Sequence, residues 1–173
     1  MSDTPAIELQ APDISRWKTG NTGVDYVHRF DSGRPGPAVM VQALTHGNEI
    51  CGALALVALL GEMPAIRRGS LTLAFANVDA FARFDTADPH RSRFVDEDYN
   101  RVWGDEAMNG PRDSVELRRA RALRPFVDAA DRLLDIHSMH EPCRPIMVCG
   151  RVDKNAAYAR ELSVPAALLI DSP

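Results

Sequence analysis

Short, continuous apolar runs alternate with longer helical patterns along the chain, and this alternation predicts an α/β fold. Continuous runs, unlike alternating ones, are typical of strands that are covered on both faces. The runs 38–44 and 71–76 predict buried strands, and further strands are predicted at 132–137, 146–149 and 166–170. Helices are expected between them, so we predict an α/β domain with a largely parallel sheet.

Three segments between these strands are predicted as helices. The mostly apolar stretch 50–63 follows the first strand, and Pro64 ends it. A second helix begins at Ser114 and runs to about Ala130. Its apolar positions, which share one face, are Leu117, Ala120, Leu123 and Val127. The third helix includes residues 158–162.

Composition and charge give no sign of a nucleic-acid-binding, secreted or membrane-spanning protein. The chain has 173 residues, enough for a single domain, and a net charge of −4, which gives no electrostatic footprint for nucleic acid or an anionic membrane. Three cysteines without CxxC spacing and an acidic N-terminus without a signal-peptide pattern predict a cytoplasmic protein. The longest uncharged run, from Ile50 to Gly61, is too short to span a bilayer.

The first candidate for chemistry is His46-Gly47-Asn48-Glu49, directly after the first predicted strand. A His and a Glu three residues apart can face the same way, and both are good zinc ligands. The alternative interpretation is a helix N-terminus at which Asn48 or Glu49 complements the helix dipole.

The second candidate is Asp135-Ile136-His137-Ser138, at the end of the third predicted strand. Asp135 and His137 share one strand face, and a buried strand seldom carries such a pair unless each has a partner. The pair is either a hydrogen-bonded strand end or part of a metal site. Ligands of parallel sheets bind at the carboxyl ends of strands, so His46 and His137 are expected at one site.

The third candidate lies in the long polar region between Asn77 and Gly110, which shows little periodicity. Long loops in a compact domain are usually functional or disordered. The segment RFVDEDYNRVW, 93–103, crowds arginines, acids and aromatics together. It is either a solvated acidic loop or a site in which an arginine binds a carboxylate and an acid orients a metal-binding histidine.

Taken together and in this order, the three motifs HGNE, RFVDEDYNRVW and DIHS resemble the succinylglutamate desuccinylase/aspartoacylase family, a branch of the zinc carboxypeptidase-like enzymes. The resemblance covers roughly Ala38 to Ser138. It implies a three-layer α/β/α fold with a mostly parallel mixed sheet. It also implies a hydrolase with one zinc ion per chain, acting on the amide bond of N-acyl amino acids or related carboxylate-bearing amides.

The resemblance assigns roles to the acids and histidines of these motifs. His46, Glu49 and His137 would bind zinc. Asp98 matches an acid that supports a zinc-binding histidine, and Asp135 is expected to do similar or structural work beside the third ligand.

It also assigns roles to the arginines and to the start of a helix. Arg93 matches the arginine that steadies the scissile carbonyl as it becomes an oxyanion. Asn100 and Arg101 match the pair that holds the substrate carboxylate. Ser114 and Glu116 resemble the start of a helix in these proteins and are expected to be structural.

One expected residue has no match. The family's general base is a glutamate on a strand well after DIHS; Glu141 follows His137 too closely, and Glu161 lies in a predicted helix. We therefore expect a single but partial domain, 1–173, with the base and a later β-rich segment beyond Pro173. Two other functions stay open: a zinc carboxypeptidase acting on peptide C-termini, and a zinc-binding module without catalysis.

Overall fold

The computed structural model describes residues 8–63, 65–139 and 142–171. Its chain divides into two compact units, one ending at Ser138 and one beginning at Met139. Each is described by itself below. The predicted helix stop Pro64 and the acid Glu141 lie outside the described residues, and the expectation of a single partial domain stays a prediction.

A four-stranded mixed sheet forms the centre of the first unit. Its strands are β1 (Val27–Asp31), β2 (Ala38–Ala43), β3 (Ser70–Phe75) and β4 (Arg132–Ile136). The order is β1-β3-β2-β4, with β1 antiparallel to β3 and the other neighbours parallel. The predicted strands 38–44, 71–76 and 132–137 are confirmed. Strand β1 was not predicted, because this edge strand mixes apolar and charged residues.

The helices of this unit are α1 (Ile50–Gly61), α2 (Val78–Phe81), α3 (Asp105–Asn109) and α4 (Val115–Asp128). Helix α1 ends two residues before the predicted end at residue 63. Helix α4 begins after Ser114, whose hydroxyl accepts a hydrogen bond from the N–H of Leu117 at 3.0 Å and so caps the helix. The polar region 77–110 contains α2, α3 and two short 3₁₀ helices rather than an open loop.

Two apolar clusters cover the two faces of the sheet. Helix α1 packs on one face through Ala53 and Leu56, against Leu73 and Phe75 of β3. Helix α4 packs on the other, where its apolar positions meet alternate residues of β2 and β3. Members of this second cluster include Met40, Ala74, Leu117, Ala120 and Leu123. The unit therefore has the expected three-layer α/β/α architecture.

The second unit is a β-α-β element. Strand β5 (Ile146–Gly150), helix α5 (Asp153–Leu162) and strand β6 (Ala167–Asp171) follow one another, and the strands pair in parallel. The two predicted strands and the intervening helix are confirmed, although the helix begins five residues before residue 158. In the described part of the chain, no helix is both long and apolar enough to cross a membrane.

Sheet register sets the position of the candidate chemistry. Strands β2 and β4 are parallel neighbours in which Gln42 pairs with Asp135 and Ala43 with Ile136. The chain leaves both strands at the same edge, so the segments that start at Leu44 and His137 begin side by side. This is the carboxyl edge at which parallel sheets bind ligands.

We predict that the core under α1 carries much of the stability of the first unit. Replacing the fully buried Leu56 by Ala removes contacts with β3 and leaves a cavity. The free energy of unfolding should fall by about 2–5 kcal/mol in urea denaturation. The matched change Leu9→Ala, at a side chain that is 50% exposed, should lower it by less than about 1 kcal/mol. Equal losses would contradict this packing.

Candidate metal centre

A strained turn carries the HGNE motif from β2 into α1. Leu44 has a φ of 61°, in the left-handed region that a bulky residue rarely adopts. Backbone hydrogen bonds hold it there: the N–H of Ala76 donates to Ala43 and that of Asn77 to Leu44, both at 2.8 Å. Strain of this kind is typical of functional sites, where the surrounding structure holds it in place.

Gly47 lets another segment approach this turn closely. Its N–H donates to the carbonyl of Arg93 at 3.1 Å. A Cβ at this position would collide with backbone atoms of Ala80, Phe81 and Ser92. The HGNE turn and the start of the RFVDEDYNRVW segment are therefore in direct backbone contact, and a glycine is required between them.

Glu49 is the centre of the candidate site. Its Oε1 lies 2.7 Å from Nδ1 of His46, and its Oε2 lies 2.7 Å from Nδ1 of His137. The N–H of Ser138 donates to Oε2 at 3.1 Å. The possible ligand atoms of the three residues all lie within 4.8 Å of one another, so one ion can contact them all.

The alternative interpretation of HGNE, a helix N-terminus, accounts for only part of this geometry. Glu49 is the N-cap residue of α1, but its side chain makes no capping hydrogen bond. The carboxylate instead turns toward the two histidines. His46 and Glu49 are almost fully buried, whereas the side chain of His137 is 34% exposed. The cluster is thus accessible from solvent on the His137 side.

The outer nitrogen of each imidazole also faces a carboxylate. Nε2 of His46 lies 3.2 Å from Asp98, and Nε2 of His137 lies 3.0 Å from Asp135. A proton on Nε2 that is donated to these acids leaves the Nδ1 lone pair toward Glu49. Fixing the tautomer in this way is what outer partners of metal-binding histidines usually do.

Thr45 extends this support and was missed by the sequence reasoning. Its hydroxyl donates to Asp135 at 2.8 Å and accepts from the side-chain amide of Gln42 at 3.3 Å. The pairing of Gln42 with Asp135 across β2 and β4 is what brings these groups together. A polar residue directly after an apolar strand was the available signal, but only the register shows which acid it meets.

The hydrogen bonds shift the pKa values of the cluster in opposite directions. Hydrogen bonds to Asp135 and Glu49 raise the pKa of His137 to about 10, against the effect of burial. Burial raises the pKa of Glu49, but hydrogen bonds from His137 and His46 outweigh it and lower the pKa to about 2. Burial also opposes the shift of Asp98, whose pKa is lowered mainly by the backbone N–H of Asn100 and by His46.

The chemistry of these donors fits a divalent cation. An imidazole nitrogen and a carboxylate oxygen that are 2.7 Å apart both carry lone pairs, so a proton or a cation must lie between them. Three carboxylates, those of Glu49, Asp98 and Asp135, surround the two histidines, and Arg93 brings one positive charge to them. A divalent ion would balance the remaining negative charge. Two imidazoles and one carboxylate are also a known zinc donor set.

Arg93 and Asn100 border this cluster, and Arg101 stands apart from it. The guanidinium of Arg93 lies 3.3 Å from Oε1 of Glu49, 3.6 Å from Asp98 and 3.0 Å from Nε2 of His46. The side-chain nitrogen of Asn100 lies 3.5 Å from the same Nε2. Arg101 is exposed, and within the described ranges its side chain has no hydrogen-bond or ion-pair partner.

Comparison of the sequence with known proteins places it in a family. The sequence profile described as the succinylglutamate desuccinylase/aspartoacylase catalytic domain matches residues 35–173. This range contains all of the candidate residues above. The comparison with curated proteins finds no match.

Several solved structures share the fold. An aspartoacylase family protein from Mesorhizobium loti is 23% identical with a TM-score of 0.58; the match covers 81% of this chain and 43% of that one. The succinylglutamate desuccinylase from Chromobacterium violaceum is 19% identical with a TM-score of 0.51, covering 74% and 38%. A product-bound ectoine utilization protein from Ruegeria pomeroyi is 18% identical with a TM-score of 0.58, covering 94% and 50%.

These likenesses establish the fold alone, because each identity is below 25%. The chain spans between 38% and 50% of the length of these three structures.

We predict that zinc binding to the metal-free protein releases protons. Because the pKa of His137 is raised to about 10, its imidazole is charged at neutral pH and must lose a proton to become a ligand. Each released proton should weaken zinc binding about tenfold per unit of falling pH. Titration calorimetry at pH 7 in buffers of different ionisation enthalpy measures the number released. A heat that is independent of buffer, with affinity unchanged between pH 6 and 8, would contradict the prediction.

Proposed function

The chain belongs to the succinylglutamate desuccinylase/aspartoacylase family, and on this premise we propose that it is a zinc-dependent hydrolase of linear amides. The substrate class is N-acyl amino acids or related small carboxylate-bearing amides. The observation that carries the proposal is the approach of Nδ1 of His46 and Nδ1 of His137 to the two oxygens of Glu49.

His46, Glu49 and His137 are the residues that would hold one zinc ion. An ion held there would supply Lewis-acid polarisation of a substrate carbonyl and a water whose pKa is lowered toward about 7. The protein's contribution is orientation. Asp98 and Asp135 each hold one imidazole by its Nε2 side, so that Nδ1 keeps its direction toward Glu49.

Arg93 is the residue that we assign to the oxyanion. Its guanidinium is partly exposed and contacts both His46 and Glu49, so its positive charge lies at the edge of the candidate metal centre. A fixed cation in that position stabilises the negative charge that develops on the carbonyl oxygen of an amide under attack.

Asn100 and Arg101 are assigned to the substrate carboxylate. Arg101 follows Asn100 directly, and its exposed side chain is not engaged by any other described group. Arginine binds carboxylates through two parallel hydrogen bonds, which fixes the orientation of the ligand. A substrate that carries a free carboxylate is the ligand that this pair would hold.

The general base is not assigned to any described residue. Glu49 and Asp135 accept hydrogen bonds from the histidines and from Ser138 or Thr45, and Asp98 accepts from Asn100 and faces His46. The expectation of a base beyond Pro173 stays a prediction. This engagement of the nearby carboxylates favours, as a second candidate, a zinc-binding module without catalysis.

Metal analysis with substrate profiling separates these functions. We expect protein purified without chelator to hold one zinc ion per chain, and hydrolysis of N-acetyl or N-succinyl amino acids to stop when the metal is removed. Release of C-terminal residues from peptides would identify a carboxypeptidase instead. Bound zinc without any hydrolysis would favour the second candidate, and lack of bound zinc would overturn the proposal.

A cytoplasmic location is proposed from the cysteines. Cys51, Cys143 and Cys149 are all free in the structure. Free thiols are usual in a reducing compartment, where disulfides are rare.

Substitutions of Arg101 and Arg93 should affect substrate binding and turnover separately. Arg101→Lys loses the bidentate contact and should raise KM about tenfold with little change in kcat. Arg93→Lys should lower kcat about 10²–10³-fold, the loss typical of one oxyanion contact. The control Arg91→Lys, at an exposed side chain, should change neither value. Steady-state kinetics on an N-acyl amino acid make the measurement. A lower kcat in the Arg101 variant with an unchanged KM would refute these roles.

A further inference from the structure

Glu116 is a buried carboxylate that the chemistry described so far does not use. It lies in the first turn of α4 and is fully buried. Its Oε1 accepts hydrogen bonds from the N–H of Val95 at 2.7 Å and from the side chain of Asn77 at 3.0 Å. Its Oε2 accepts from the N–H groups of Asp96 at 3.0 Å and Glu97 at 3.3 Å. Burial of a carboxylate is tolerated only with partners of this kind.

Three of these four donors are consecutive backbone amides in one segment. Residues 95–97 lie between Arg93 and Asp98, and both of these residues contact the candidate metal centre. Arg93 and Asp98 both approach Nε2 of His46, at 3.0 Å and 3.2 Å. Glu116 therefore binds the middle of a segment whose two ends face the same imidazole.

A second contact joins the same segment to α4 from the opposite direction. The carboxylate of Asp96 accepts a hydrogen bond from the N–H of Val115 at 2.8 Å. Each side thus supplies a carboxylate to the backbone of the other. Asp96 is exposed, so its contact can be removed without opening the core.

We propose that Glu116 is a positioning residue of the metal centre. By holding the backbone of residues 95–97, it sets Arg93 and Asp98 against His46, and it does so without touching the ion or the substrate. Weakening the hydrogen bonds of Glu116 to this backbone changes the orientation of the His46 imidazole. The affinity of the site for zinc changes with that orientation. The inference rests on the proposed function for its zinc measurement, and not for the orientation of His46.

A purely stabilising role of Glu116 would have different consequences from a positioning role. If Glu116 only anchored α4, its loss would lower the free energy of unfolding and leave the folded site unchanged. Asp96→Ala distinguishes the two roles, because it removes a contact to the same segment from an exposed side chain.

The test compares Glu116→Gln and Asp96→Ala with the full wild-type chain, and Glu106→Gln is the control. Glutamine keeps the volume of the side chain but places an NH₂ group against backbone N–H donors. Glu106 is exposed on α3, so its variant removes the same charge away from the segment. Mutation of a residue that orients a metal ligand usually weakens metal binding 10–100-fold. We therefore expect the zinc Kd, from chelator competition, to rise about tenfold in Glu116→Gln, several-fold in Asp96→Ala and not in the control.

The ¹⁵N chemical shifts of the His46 ring give the readout that does not depend on zinc. They should move in Glu116→Gln and Asp96→Ala and stay fixed in the control. Folded variants with wild-type zinc Kd and wild-type His46 shifts would overturn the inference. If Glu116→Gln does not fold, Asp96→Ala decides by the same two measurements. If the wild-type chain binds no zinc, the proposed function fails, and the His46 shifts alone decide the positioning role.

Discussion

The site depends on one interaction, the contact of both imidazole Nδ1 atoms with the two oxygens of the Glu49 carboxylate. Each nitrogen comes from a different part of the chain, His46 from the turn after β2 and His137 from the end of β4. They meet because β2 and β4 are parallel neighbours that end at the same edge. Lone pairs this close require a proton on one partner or a cation shared by both, and two imidazoles with one carboxylate are a known zinc donor set.

Much of the fold follows from the pattern of apolar residues. Strands β2 and β3 are largely apolar because helices pack on both faces of the sheet, and α4 shows its apolar stripe at helical spacing. Strand β4, the last in the strand order, is less buried. Strand β1 gives no such signal: its residues Val27 to Asp31 alternate irregularly at a sheet edge, with one antiparallel neighbour. The position of β1 is set by its pairing with β3, and sequence periodicity does not reveal this pairing.

The sequence pointed to the central residues of the candidate site and, through the resemblance, to Asp98 and Asp135 beside the histidines, but not to the rest of their support. His46, Glu49 and His137 stand in short motifs next to strand ends, so their residue types and places are visible in the sequence. Thr45 gives no signal until the structure shows what it touches, and Glu116 is expected only as part of a helix start. Two short helices between Asn77 and Gly110 are similar: Asn77 caps α2 and Asp98 caps the 3₁₀ helix Tyr99–Arg101 through side-chain contacts that no periodicity shows.

X-ray absorption at the zinc edge of the zinc-loaded chain tests the central claim most directly, because it reports the atoms bound to the ion. We expect nitrogen and oxygen ligands at about 2.0–2.2 Å, with the outer scattering of two imidazoles that falls to one in His137→Ala. A sulfur ligand at about 2.3 Å, or imidazole scattering that is unchanged in His137→Ala, would contradict it.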